Sequence, residues 1–94
     1  MKPGSILINT ARGTLIDESA LLRALDAVHL AGAGLDVFAE EPTPANHPFF
    51  KRSDVVLSPH VAWLTRETLE RSLAVAIDNC HRLSTAQPLR FRVV

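Results

Sequence analysis

Cysteine occurs once in these 94 residues, at Cys80, and tyrosine does not occur at all. A lone cysteine forbids an internal disulfide, which excludes the disulfide-stapled secreted domain and fits a reducing compartment. Neither sign of charge is in excess: ten Lys and Arg balance ten Asp and Glu, giving a formal net charge of +0. No field is left to steer nucleic acid or an anionic membrane, so neither is an expected partner. No apolar run approaches the roughly 18 residues needed to span a bilayer. The start, Met1-Lys2-Pro3-Gly4, lacks the long apolar segment of a signal peptide. A soluble, cytoplasmic protein is the expectation. The length suits about one small domain and excludes a two-domain enzyme. Hydrophobic residues at 47% and charged residues at 21% exclude disorder and coiled coil, so the chain must pack.

Pro3-Gly4 reads as a turn, followed by the β-branched run Ser5-Ile6-Leu7-Ile8-Asn9-Thr10. Without polar alternation, that run predicts a strand buried on both faces. Asp17 stands where a helix N-cap belongs, with Glu18 in the first turn. Leu21, Ala24, Leu25 and Val28 then recur at helical spacing, with His29 near the end, on a helix that stops before Gly32. Gly32 to Phe38 reads as a second buried strand, and Glu40 to Phe50, with Pro42, Pro44 and Pro48, as an irregular surface loop. Val55-Val56-Leu57 predicts a third strand that ends at Ser58-Pro59. Leu69, Leu73, Ala76, Ile77, Cys80 and Leu83 predict a helix from about Thr65 to Ser84, with a tail over 85–94 beyond it. The order is that of an α/β fold with about three parallel strands, two main helices and a right-handed first crossover. Parallel sheets need cover on both faces, and two helices over three strands are thin cover, so the sheet is expected to continue into something these residues do not contain.

In open α/β sheets, ligands bind beyond the carboxyl ends of the strands. Arg12 follows the first strand, Asp36 to Glu41 straddle the end of the second, and His60 follows the third. A guanidinium can hold a carboxylate through paired hydrogen bonds while polarising a neighbouring carbonyl. An imidazole can give or take the proton as carbonyl and alcohol interconvert, and a carboxylate beside it fixes the ring and favours its charged form. Residue type alone leaves plainer readings open. Arg12 could be a solvated loop arginine, His60 a hydrogen-bonded loop histidine, and Glu40-Glu41 a solvated acidic pair. Asp36 is harder to set aside, because a carboxylate inside Leu35-Asp36-Val37-Phe38 must be solvated at the strand end or meet a partner. His29, His47 and His81 share no metal-ligand spacing with one another or with Cys80, and read as structural, with no metal site expected. Gly32-Ala33-Gly34 lacks a third glycine and precedes a strand, so it is not a dinucleotide loop; neither a P-loop nor a nucleophile elbow occurs.

Three stretches in order, from Met1 through Asn9-Thr10-Ala11-Arg12-Gly13, from Gly34 through Glu40-Glu41-Pro42, and Leu57-Ser58-Pro59-His60-Val61-Ala62-Trp63, cover nearly all of the chain. They resemble the second half of the nucleotide-binding domain of the D-isomer-specific 2-hydroxyacid dehydrogenases. The resemblance implies a partial Rossmann-like domain over residues 1–84 that uses NAD or NADP. It implies Arg12 as the substrate arginine, Glu41 as the carboxylate paired with the histidine, and His60 as the acid/base. It further implies that Asp36 meets the nicotinamide carboxamide and that backbone near Thr10 and Ala11 lines the nicotinamide pocket. Val61-Ala62-Trp63 is similar to the glycerate or hydroxypyruvate reductase branch. The implied activity is reduction of a small 2-keto acid. The family's glycine-rich loop and substrate domain have no counterpart here, so the expectation is a truncated product or fragment with little turnover alone. A non-catalytic binding or association module, as in corepressors of this fold, is the alternative. An exposed sheet edge predicts a dimer or larger assembly.

Overall fold

The computed structural model describes residues 1–93. The chain divides into two compact units, Met1–Ala62 and the stretch from Trp63 onward. In the first, strand β1 (Ser5–Asn9), helix α1 (Glu18–Asp26), strand β2 (Leu30–Leu35) and strand β3 (Val55–Leu57) follow in order. The strands form a parallel sheet in the order β1-β2-β3. The α/β class and strand directions are those expected.

Pairing runs Leu7 to Ala33 to Val55, and this row faces α1, where Leu21 and Leu25 close the core. The N-cap is Asp17, whose carboxylate accepts from Ala20 N–H at 3.0 Å. Phe49, from a short 3-10 turn at Pro48–Lys51, fills the same core at 1% exposure, and its burial contributes roughly 2–3 kcal/mol. The proline-rich stretch is therefore more than a surface loop: prolines prevent a long helix, yet the loop sends one aromatic ring inward. Arg52, just beyond that turn, forms a two-pronged pair with Asp54 at 2.8 Å and reaches Asp26 at 2.5 Å, tying the end of α1 to the start of β3. These bonds, to Asp54 first and then Asp26, raise the guanidinium pKa further.

Three boundary expectations need correction. The first strand is not buried on both faces, because Ile8 is 74% exposed and Ile6 points the same way. Ile6 pairs with Gly32, and Ile8 with Gly34, which in turn pairs with Val56, so these isoleucines and the exposed valine share a sheet face with two glycines. The second strand starts and ends earlier than expected, at Leu30 and Leu35, leaving Asp36 to Phe38 as the exit loop. Val28 does not extend the helical stripe: α1 ends at Asp26, and Val28 takes φ +52°.

That exit is a Schellman motif, with Val28 N–H bonded to Leu25 O at 2.9 Å and His29 N–H to Ala24 O at 3.0 Å. The motif needs a left-handed residue, which a β-branched side chain adopts only at a cost.

In the second unit, α2 spans Arg66–Ser84, capped by the Thr65 hydroxyl accepting from Thr68 N–H at 3.1 Å. This agrees with the expected helix. Leu69, Leu73, Ile77 and Leu83 on it are exposed. Beyond it, the Asn79 side chain clasps Arg90 through both the backbone N–H, at 2.9 Å, and the carbonyl, at 3.3 Å. No helix among the described residues is long and apolar enough to cross a membrane.

Val28 is 78% exposed and fills no core space. Val28→Gly is expected to stabilise the fold by about 1 kcal/mol, read as a higher urea midpoint at an unchanged slope. A lower midpoint would contradict the left-handed exit.

Candidate active site

The carboxyl ends of the three strands lie in one row, because Asn9 pairs with Leu35 and Leu35 with Leu57. Everything expected to be functional leaves the sheet from that row. After β1, the buried Asn9 shapes the next turn: its Oδ1 accepts from Ala11 N–H at 3.1 Å and its Nδ2 donates to Arg12 O at 2.8 Å. Thr10, Ala11 and Arg12 are thereby presented outward, all exposed, with Arg12 Nη1 donating to Ala11 O at 2.6 Å. Asn9 was not among the expected site residues. An asparagine at a strand end, where its side chain can cap a turn, is the signal that would have found it.

Asp36, one residue past β2, is only 3% exposed; its backbone N–H donates to Asn9 O at 3.0 Å, and its carboxylate is bonded by the loop after β3. Oδ1 accepts from the Ser58 hydroxyl at 2.5 Å and from Val61 N–H at 2.9 Å, and Oδ2 from Ala62 N–H at 2.9 Å. Of the two fates open to this carboxylate, the structure shows the partnered one. Desolvation pushes its pKa up, but the Ser58 hydroxyl, the Ala62 and Val61 N–H groups and the nearby His60 together outweigh it, and the net shift is downward. The Asp36 carbonyl also accepts from His60 N–H at 2.8 Å.

Held this way, His60 takes φ +55°. Its Nδ1 meets Glu41 Oε2 at 2.8 Å, while Glu41 Oε1 accepts from Phe38 N–H at 2.9 Å. The glutamate is thus fixed by the exit loop of β2 and the histidine by Asp36. The Glu41 pKa is lowered, first by the bond to His60 and then by Phe38 N–H. The Glu41–Pro42 peptide bond is cis. Glu41 and His60 are brought into direct contact, and Arg12 lies on the same rim, on the loop of the neighbouring strand.

A hollow of about 510 Å3, lined by Phe38, Pro42, Phe50, Leu57 and Pro59, shares the Glu41 wall, although Arg12 and His60 are not in its lining. Among the described residues no group of three His, Cys, Asp or Glu side chains could hold a metal ion.

The family model for the NAD binding domain of D-isomer specific 2-hydroxyacid dehydrogenases matches residues 1–62. The chain belongs to this family. A glyoxylate reductase of Thermofilum pendens is 49% identical over 79 residues, covering 84% of this chain and 23% of that protein. An (S)-sulfolactate dehydrogenase of Chromohalobacter salexigens is 48% identical over 82 residues, covering 87% of this chain and 26% of the relative. Among solved structures, a D-isomer specific 2-hydroxyacid dehydrogenase from Xanthobacter autotrophicus in complex with NADPH and MES superposes with a TM-score of 0.88 at 33% identity, over 100% of this chain and 38% of that one. The chain spans about a quarter of the length of the curated relatives it matches. The resemblance read from the three sequence stretches and the Rossmann-like class both stand.

In the folded chain, the Glu41 and Asp36 pKa values lie below the ordinary 4.5 and 3.8. Their stabilising contribution is complete above the ordinary values and is lost as pH falls through the lower, folded ones. The urea midpoint should therefore hold from pH 7 down to about 5 and then decline, with a shallower decline in Glu41→Gln. A variant that tracks the wild type throughout the acid range would show that the Glu41–His60 bond adds nothing to stability.

Proposed function

We propose that residues 1–84 are the second half of the nucleotide-binding domain of a nicotinamide-dependent dehydrogenase that reduces a small 2-keto acid of the glyoxylate or hydroxypyruvate type to the D-2-hydroxy acid. The observation that carries this reading is the 2.8 Å contact between His60 Nδ1 and Glu41 Oε2 at the rim that also presents Arg12. A bond at Nδ1 orients the imidazole and balances its positive charge, which assigns proton transfer to Nε2. Arg12 binds the substrate carboxylate and polarises the adjacent carbonyl oxygen. His60 then gives that oxygen its proton as the carbonyl carbon takes hydride, and in the reverse direction it receives the proton back.

The nicotinamide, when bound, supplies the hydride. The residues present fit that end of the cofactor: Thr10 and Ala11 are exposed residues with small side chains beside the β1 end. The Asp36 carboxylate accepts three hydrogen bonds, leaving about one acceptor position for a carboxamide N–H. No Gly-x-Gly-x-x-Gly loop occurs in these residues to cradle a pyrophosphate. NAD and NADP both suit the groups present. A cytoplasmic site of action fits a nicotinamide reaction and the single unpaired cysteine.

Purified chain with hydroxypyruvate and NADH is expected to turn over far below the roughly 1 to 1000 per second of ordinary enzymes, because the water-excluding partner domain is not in these residues. Saturable quenching of Trp63 by millimolar NADH plus hydroxypyruvate is nevertheless expected, with the keto-acid dependence removed in Arg12→Ala. Absence of any response would overturn the reading.

One observation favours an added association role. Ile6, Ile8 and Val56 form an exposed apolar sheet face of the kind that seeks cover. A dimer or larger species is the expected result of light scattering at micromolar concentration, and a stable monomer would contradict it.

A further inference from the structure

Outside the Glu41–His60 couple, one acidic and one imidazole side chain remain partly buried together, at positions the acid/base reading does not use. Glu18, in the first turn of α1, and His47, in the proline-rich loop, have side chains only 20% and 18% exposed. Glu18 Oε1 accepts from Ala39 N–H at 2.9 Å, 21 positions away in the chain. Glu18 Oε2 stands 3.3 Å from His47 Nε2. His47 Nδ1 accepts from Phe49 N–H at 3.4 Å, and its ring lies 4.8 Å from that of Phe49, the most buried aromatic of the core. With Nδ1 accepting, the ring hydrogen resides on Nε2 and points at the carboxylate, so the contact does not require a charged histidine.

The location of Ala39 gives this cluster its meaning. Ala39 N–H and Phe38 N–H are consecutive donors in the exit loop of β2; the first goes to Glu18 and the second to Glu41. The same stretch is fixed from its other side by Gly13, where an added Cβ would fall inside the Phe38 and Ala39 backbone. Glu41 sits on a segment without regular structure, in which Pro42 and Pro44 can offer no backbone donors. Its location therefore depends on the anchors at either end, and Glu18 serves both: Ala39 before Glu41 and His47 after it. A carboxylate is favoured at a helix N-terminus, so α1 supplies a rigid base for the clamp.

We infer that Glu18 and His47 are a positioning pair, which holds the two ends of the 39–47 loop on α1 and so sets the Glu41 carboxylate against His60 Nδ1. Its catalytic significance rests on the acid/base reading above, but the geometry can be tested apart from turnover. Carbon-13 NMR of side-chain carboxyls reads the Glu41 titration, and nitrogen-15 NMR of the imidazole reads the Nδ1 hydrogen bond of His60. Glu18→Ala is expected to move the Glu41 midpoint up toward the ordinary 4.5 and to erase the Nδ1 signature. Glu18→Gln, whose amide oxygen can still accept from Ala39, should keep most of both. The neighbouring exposed Glu40→Ala should change neither. An unchanged Glu41 midpoint in folded Glu18→Ala overturns the positioning role. Should that variant not fold, His47→Leu serves in its place, and an unchanged Glu41 midpoint and Nδ1 signature there overturn it equally. Loss of keto-acid-dependent Trp63 quenching in the wild type itself would instead overturn the acid/base reading, leaving the NMR comparison as it stands.

Discussion

The rim of this fold depends on a single buried carboxylate. Asp36 stands at the end of the central strand and gathers a hydroxyl and two backbone N–H groups from the loop after the neighbouring strand. A charge so enclosed is costly unless fully bonded, and the bonds that offset the cost are those that shape the His60 turn. The left-handed backbone at His60 is uphill by about 1–2 kcal/mol for a residue with a Cβ. It persists because Asp36 holds the turn on both sides, through its carbonyl to His60 N–H and its carboxylate to the two residues beyond.

From that fixed histidine the remaining parts follow as a chain of local constraints. Glu41 meets the ring with its other oxygen held by Phe38 N–H, and Phe38 can lie where it does because Gly13 permits backbone to lie against backbone. Asn9 does for Arg12 what Asp36 does for His60: a buried polar side chain at a strand end binds a loop of the rim, the following one for Asn9 and that of the neighbouring strand for Asp36. Three strands thus end in one row, and two of the three loops beyond them are shaped by a side chain from the row or from its next residue. Precision at the rim comes from the sheet, while the loops contribute the reactive groups.

The same sheet is finished on one side and open on the other. Leucines of α1 and the ring of Phe49 close one face, whereas Ile6, Ile8 and Val56 stand exposed around paired glycines on the opposite one. The family match over residues 1–62 covers the unit that carries both this sheet and its rim, and the chain spans about a quarter of the length of the relatives it matches.

Local signals in the amino-acid order were enough for much of this: the Asp17 cap, the β-branched strands, the long helical repeat of α2 and the placing of Arg12 and His60 just beyond strand ends, whereas Glu41 was singled out from Glu40 by the family resemblance. Each depends on neighbours a few residues apart, and strand-end placement follows from parallel topology. What the order could not reveal was which face of β1 is covered, because a continuous apolar run reads alike whether one side or both are buried. Nor could it show that Val28 turns left-handed, that Phe49 leaves a proline-rich loop for the core, or that Glu18 and His47 meet. Those outcomes rest on contacts between segments distant along the chain, decided only when the sheet, helix and loop compete for the same space and the same hydrogen-bond donors.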